Sequence, residues 1–186
     1  IQAWLKDGKH FLQAWVRRLY RVEAETGKAG PLLNSNAVYQ ALRRAELDET
    51  TAAEGCRRTR FDMNPQTTGA LITHSNDLYY FQFEGAMAAR LTRSPGPKEL
   101  VCFSPNGRRV AFVRAQNLYV VDLATRTERA LTTDGGGEVR NGKADWVYFE
   151  ELQNRNWRAY WWSPDSAHLA FERFDASERA QVPLLF

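Results

Sequence analysis

Short runs of alternating apolar and polar residues fill most of this chain, and turn-forming residues separate them. One unit runs from Phe103 through Ser104-Pro105-Asn106-Gly107 to Phe112, and it recurs from Trp162 to Phe171. A looser copy, Trp4 to Leu12, stands near the start. Each copy predicts a β-hairpin, because an aromatic residue ends one strand, turn residues follow, and an alternating run starts the next strand. Ser166 stands where the other copies have glycine, which weakens the turn signal there.

A second unit is a pair of leucines thirteen positions apart, with a strand, a polar turn and another strand between them. It occurs three times, as Leu19 and Leu32, Leu78 and Leu91, and Leu118 and Leu131. Joined, the two units give four short strands in roughly 35–45 residues, which is typical of a propeller blade. The alternative is an unrelated β-sandwich built from similar hairpins. We expect a mainly β chain of about four antiparallel blades from a larger propeller, near residues 1–33, 60–93, 98–133 and 157–186.

Two segments interrupt the repeat. Residues 36–58 lack alternation and are rich in Ala, Glu and Arg, which predicts one or two short helices inserted between blades. Residues 134–156 open with Asp134 and three glycines and then become aromatic and acidic. Insertions into a repeat array often carry function, because the repeat itself only has to stack.

The composition is that of a globular chain: 186 residues, 44% hydrophobic, 12% aromatic, with a net charge of +3. This excludes a disordered chain, and no apolar run approaches the ~20 residues of a membrane span. Two cysteines are too few for a disulfide scaffold. The arginines are scattered among acids and form no basic face, so we expect no nucleic-acid partner.

Catalytic chemistry is hard to find in this sequence. A Gly-x-Ser-x-Gly nucleophile elbow is absent, and His, Cys and carboxylates do not cluster at metal-ligand spacing. The glycines at 135–137 lack the strand–turn–helix setting of a dinucleotide site. We therefore expect no catalytic residue, no metal and no cofactor in this chain, and no peptidase activity from it alone.

The most informative residues are the adjacent acids Glu150 and Glu151, which follow Trp146-Val147-Tyr148-Phe149. Adjacent carboxylates repel each other, and aromatic neighbours add a desolvation cost unless a cation is present. Such a pair suits a cationic ligand group such as an amine. The alternative is that both acids complement a helix dipole.

These blocks resemble the propeller domain of the dipeptidyl-peptidase IV family of serine peptidases, along the entire chain and most strongly from Leu100 to Phe186. The element Trp-Val-Tyr-x-Glu-Glu with the double Trp after it is specific to that family. The matching blocks are Asn141-Gly142, Asp145-Trp146-Val147-Tyr148-x-Glu150-Glu151, Trp161-Trp162-Ser163-Pro164-Asp165, Leu169-Ala170-Phe171, Arg173-Phe174-Asp175 and Val182-Pro183.

The resemblance implies an eight-bladed propeller joined to a C-terminal α/β-hydrolase domain, which this chain lacks. It implies release of dipeptides from peptide N-termini with Pro or Ala in the penultimate position. Glu150 and Glu151 would bind the substrate's α-amine, and Arg93, reached by an ungapped count, would hold its second carbonyl. Phe149 stands where many members have a third Glu. The resemblance also implies a periplasmic or secreted protein if the source is bacterial, and it is compatible with a homodimer.

Three other interpretations stay open at this point. A propeller-type interaction scaffold would need no Glu pair, and a prolyl-peptidase relative without aminopeptidase specificity would lack it. Arg93 could instead be a surface arginine at a blade turn. About four blades out of eight would make this chain a fragment that recognises substrate and leaves the chemistry to other residues.

Overall fold

Three antiparallel sheets of four strands each make up most of the computed structural model, which describes residues 3–16, 18–56 and 62–178. In each sheet, strands that follow one another in the chain pair with one another. This confirms the predicted fold class of four-stranded propeller blades. The strands are β1 (Ala3–Trp4), β2 (His10–Trp15), β3 (Arg18–Glu23) and β4 (Ala29–Pro31); β5 (Asp62–Met63), β6 (Gly69–His74), β7 (Asp77–Gln82) and β8 (Met87–Arg90); β9 (Glu99–Phe103), β10 (Arg109–Arg114), β11 (Asn117–Asp122) and β12 (Glu128–Ala130).

The repeated leucine pairs hold the third strand of each sheet to the residues around the fourth strand. In all three sheets the amide of the second leucine donates to the carbonyl of the first over 2.8 Å. The spacing of thirteen therefore reflects one hydrogen bond that is repeated in each blade. The bonds join Leu32 to Leu19, Leu91 to Leu78 and Leu131 to Leu118.

The turn between the first two strands is also repeated. In the third sheet the amide of Ser104 donates to the carbonyl of Arg109 over 2.9 Å, and the same pairing joins Ser163 to His168 over 3.0 Å. Ser166 takes the left-handed conformation of the glycine it replaces, with φ 64°. Its buried hydroxyl accepts from the amide of Asn106 over 3.0 Å, so the serine joins two neighbouring turns.

A fourth set of strands follows, arranged as two pairs. β14 (Tyr160–Trp162) and β15 (Leu169–Phe171) form the predicted hairpin, and β13 (Val139–Asn141) pairs with β16 (Arg173–Asp175). β13 lies inside the segment 134–156, where the sequence pattern indicated only an insertion. Three residues are too few to show alternation, which explains why no strand was expected there. The predicted end of this blade, from residue 179 on, lies outside the described residues.

Two helices lie between the first and second sheets, as predicted for the inserted segment. In α1 (Ser35–Arg44) the side chain of Asn34 caps the first turn, and in α2 (Glu49–Gly55) Asp48 does so. Their apolar faces, including Leu42 of α1, pack against the second sheet. Residues 57 and 58 of the predicted insertion lie outside the described residues.

The core is divided into layers between consecutive sheets. Val110 and Phe112 of β10 pack with Leu71 and Leu78 of the second sheet, while Ala111 and Val113 on the opposite face pack with Tyr160. Because both faces of β10 are buried, its sequence is a continuous apolar run. The Tyr160 hydroxyl donates to the carbonyl of Ala111 over 3.0 Å, which satisfies a polar group inside this layer.

Candidate functional site

The segment that carries the glutamates enters through Asn141 and Gly142. Asn141 is fully buried, and its side-chain amide donates to Asp134 over 2.9 Å. Gly142 has φ 73°, and an added Cβ would lie 3.2 Å from Leu118 and 3.3 Å from Tyr160. The left-handed backbone favours glycine here, and an added Cβ would also make unusually close contacts with both side chains. These two residues dock the start of the segment against the third and fourth sheets.

Asp145 starts the helical turn that presents the acids. Its carboxylate accepts from the amide of Tyr148 over 2.9 Å, and its carbonyl accepts from the amide of Phe149 over 2.9 Å. The turn continues as a π-helical turn, Tyr148–Leu152. Glu150 and Glu151 lie in the first turn of this element, so the interpretation that they complement a helix dipole stays open. π-helical turns are also frequent at functional sites.

Aromatic contacts hold this turn in place. The ring of Phe149 stacks on Trp157, with centroids 4.0 Å apart and planes 13° apart. The ring of Trp146 packs tilted against Phe149, with centroids 5.6 Å apart. The ring of Tyr148 packs edge-on against Phe174 of β16, with centroids 4.8 Å apart. Phe149, the position at which the resemblance led us to expect no third acidic contact, is therefore used for packing.

The two glutamates have different surroundings. Glu150 is half-buried, with 26% of its side chain exposed, and its Oε1 accepts from the guanidinium of Arg155. Its Oε2 is buried without a hydrogen-bond partner among the described residues. Glu151 is exposed, and none of the hydrogen bonds or ion pairs of the described part of the chain involves its carboxylate. The pair thus offers one enclosed and one open carboxylate.

Arg93 pairs with a residue that the sequence did not single out. Its two terminal nitrogens donate to the two oxygens of Glu46, each over 2.7 Å, and Arg90 donates to Glu46 over 3.0 Å. The hydrogen bonds from Arg93 and then Arg90 lower the pKa of Glu46 to about 2. The Arg93 side chain remains 62% exposed. Glu46 follows α1, and 47 positions of sequence separate it from Arg93, so no local pattern pointed to the pair.

The structure does not bring Arg93 into contact with the glutamates. Across residues 3–16, 18–56 and 62–178, no hydrogen bond or ion pair joins Arg93 to Glu150 or Glu151. Sequence reasoning also missed Arg155, the ion-pair partner of Glu150. The only local signal was an opposite charge five positions away, which is common on any surface.

None of the helices in the described part of the chain has the length and apolar character needed to span a membrane.

Comparison with known proteins places these features in a family. The family model described as "Dipeptidyl peptidase IV (DPP IV) N-terminal region" matches residues 72–185, more than half of the chain. The dipeptidyl aminopeptidase B of Saccharomyces cerevisiae is 42% identical over 80 residues, which cover 42% of this chain and 10% of that protein. The chain thus spans about a tenth of the length of such curated relatives.

Solved structures agree with this assignment. The dipeptidyl peptidase 4 of Porphyromonas gingivalis superposes with a TM-score of 0.64 and 26% identity, covering 92% of this chain and 24% of that one. A second structure, from Bacteroides ovatus, has a TM-score of 0.66 over 95% of this chain and 23% of its own; at 20% identity it supports the fold alone. The chain belongs to the dipeptidyl peptidase IV family, as part of its N-terminal propeller region.

Proposed function

We propose that this chain is the substrate-recognition segment of a serine dipeptidyl aminopeptidase, in which Glu150 and Glu151 bind the free α-amine of a peptide. The substrates are peptide N-termini with Pro or Ala in the penultimate position. A C-terminal α/β-hydrolase domain of the full-length enzyme supplies the catalytic Ser, Asp and His. No metal or cofactor takes part in the role assigned to this chain.

The buried Oε2 atom of Glu150 carries the proposal. A buried carboxylate oxygen that lacks a donor costs free energy, and a charged donor recovers most of it. The oxygen has no donor among the described residues. An ammonium group offers three N–H donors and a positive charge, so it can bond the carboxylate of Glu150 and that of the neighbouring Glu151 at once.

The amine anchor also accounts for the length of the released product. When two carboxylates hold the chain end, the distance from that anchor to the nucleophile admits only two residues. Positioning of this kind converts binding into selection of one peptide bond. The dipeptide therefore follows from the position of the anchor, whereas the cleavage chemistry itself belongs to the hydrolase domain.

We assign the substrate's second carbonyl to Arg93. A guanidinium has five N–H donors, and Glu46 takes one from each terminal nitrogen. The Nε–H and one further hydrogen on each terminal nitrogen are then available to a carbonyl. The two carboxylates would then bind the α-amine, and this guanidinium would bind the second carbonyl, of the same N-terminal dipeptide.

The test is Glu150→Gln in the full-length enzyme, assayed with a glycyl-prolyl reporter. The substitution keeps the shape of the side chain and removes its charge. Truncating one partner of a desolvated charge pair costs about 2–5 kcal/mol, so kcat/KM should fall by at least about tenfold. Glu84→Gln is the matched control, because Glu84 is an exposed glutamate in the turn between β7 and β8.

Active-site titration with a fluorophosphonate, which reacts with the serine and needs no amine, counts the folded enzyme in each preparation. With that correction, unchanged kinetics for Glu150→Gln would remove the amine anchor from this site. A tenfold loss that Glu84→Gln also produced would point to a general charge effect and would equally count against the anchor.

A further inference from the structure

The loop after the Glu pair turns back on itself. Asn154 and Arg155 both take the left-handed backbone conformation, with φ 48° and 60°. The amide of Arg155 donates to the carbonyl of Phe149 over 2.9 Å, which closes the loop onto the π-helical turn. Left-handed conformations are unfavourable for residues other than glycine, so this reversal persists because the surrounding contacts maintain it.

The reversal returns the guanidinium of Arg155 to the Glu pair. Its Nη2 forms an ion pair with Oε1 of Glu150, while Oε2 of the same carboxylate stays buried and unpartnered among the described residues. Arg155 is 71% exposed. In the part of the chain that the structure describes, no other cation forms an ion pair with either glutamate. Within the described residues, the carboxylate of Glu150 is thus paired through one of its two oxygens only.

We propose that Arg155 is the internal counter-ion of the amine site, and that it sets the charge of that site to match a single ammonium group. This inference rests on the proposed function. Glu150 and Glu151 alone carry two negative charges, and Arg155 reduces the sum to one. One α-ammonium then neutralises the site, so a second positive charge on the substrate gains little. Arg155 acts on the ligand through Glu150 and is a positioning residue that also determines specificity.

The consequence is measurable with a pair of substrates that differ in one charge. N-terminal lysine carries its second ammonium within reach of the site, and norleucine is its neutral analogue of similar length. At low ionic strength, about 0.01 M, the screening length is roughly 30 Å, so charges at this separation still interact. The wild-type full-length enzyme should therefore show similar kcat/KM for lysyl-prolyl and norleucyl-prolyl reporters, and the ratio should change little with salt.

Replacing Arg155 restores the second negative charge. In Arg155→Gln the ratio of kcat/KM for the lysyl over the norleucyl reporter should rise about three- to tenfold at low salt, and fall back in 0.5 M salt. Arg155→Lys keeps the charge and should keep the wild-type ratio. Arg129→Gln removes the same charge from an exposed position on β12 and is the matched control.

The outcomes separate this inference from the proposed function. If Glu150→Gln impairs both reporters but Arg155→Gln leaves the ratio within twofold of wild type, the counter-ion role is refuted and the amine anchor stands. An equal loss on both reporters would assign Arg155 a structural role only, which also refutes it. If Glu150→Gln changes neither reporter, the anchor itself fails. Should Arg155→Gln not fold, a strong, salt-sensitive lysyl preference of the wild-type enzyme would overturn the inference.

Discussion

A buried lysine offers the sharpest test of how the second and third sheets are joined. The side chain of Lys98 is 0% exposed, and its Nζ donates to Asp77 Oδ1 and to the carbonyl of Gly96, each over 3.0 Å. Asp77 also accepts from Thr92 over 2.8 Å and from Arg90. Asp77 begins β7, so this carboxylate holds the connection between the sheets to the start of a central strand.

The third sheet contains the same arrangement without the charge. There Asn117 accepts from Thr132 over 3.0 Å, and the threonine hydroxyl accepts from the amide of Leu118 over 2.9 Å. In the second sheet Thr92 accepts from the amide of Leu78 over 3.0 Å. Because an asparagine performs this role in one sheet, Asp77→Asn should preserve the contact with the threonine and remove the charge that faces Lys98 and Arg90.

The expected cost follows from the burial of Lys98. Removing one partner of a buried ion pair costs about 3–5 kcal/mol, because the other charge is left uncompensated. Lys98 keeps the carbonyls of Ser94 and Gly96 as acceptors, so we expect the lower end, about 3 kcal/mol. At 1.4 kcal/mol per factor of ten, local opening should become about a hundredfold more frequent.

Hydrogen exchange of the full-length protein measures this opening. The amide of Leu78 donates to the Thr92 hydroxyl, and the amide of Leu91 donates to the carbonyl of Leu78. Both amides should exchange about a hundredfold faster in Asp77→Asn. Asp122→Asn is the control, because Asp122 ends β11 and its ion-pair partner among the described residues, Arg109, is exposed. Exchange within threefold of wild type in Asp77→Asn would refute the reasoning.

The pH dependence provides a second check on the same carboxylate. Burial raises the pKa of Asp77, but the hydrogen bonds from Arg90, Lys98 and Thr92 outweigh it and hold the pKa below its ordinary value of 3.8. A lowered pKa contributes stability that is fully present above 3.8 and is lost as the pH falls through the folded-state value. The loss of protection at the Leu78 amide as the pH falls should therefore be smaller in Asp77→Asn than in the wild type.

Two further predictions concern the segment of the Glu pair and Arg93. Gly142→Ala should lower the thermal midpoint more than Gly27→Ala, because both have positive φ but only the former meets neighbouring side chains; equal effects would contradict the close approach. Arg93→Ala should raise KM for the dipeptidyl reporter by about tenfold, because it removes a charged donor to the carbonyl. Glu46→Gln breaks the same ion pair from the other side and should leave KM near wild type; equal effects would assign Arg93 to the pairing with Glu46 alone.

Much of the fold could be predicted from local sequence, and the exceptions are instructive. The hairpin unit and the leucine spacing reflect hydrogen bonds that close within a few positions, such as Ser104 with Arg109. A fourth copy of the hairpin turn, Asn64 with Gly69, was not recognised because its turn residues differ. Ser166 weakened the turn signal of the β14–β15 hairpin. Its hydroxyl accepts from an amide in a turn of the third sheet, which explains why serine stands there instead of glycine.

For the candidate site, the sequence alone indicated the two adjacent acids among aromatic residues that we propose bind an amine. Their exposure and partners depend on tertiary structure. The pairing of Arg93 with Glu46 spans 47 positions, and the left-handed return of Arg155 follows from the docking of its loop. Local hydrogen bonds are encoded by spacing, whereas ion pairs across stacked elements depend on how those elements pack. That packing leaves one oxygen of Glu150 buried and free among the described residues, and it decided the role proposed for this chain.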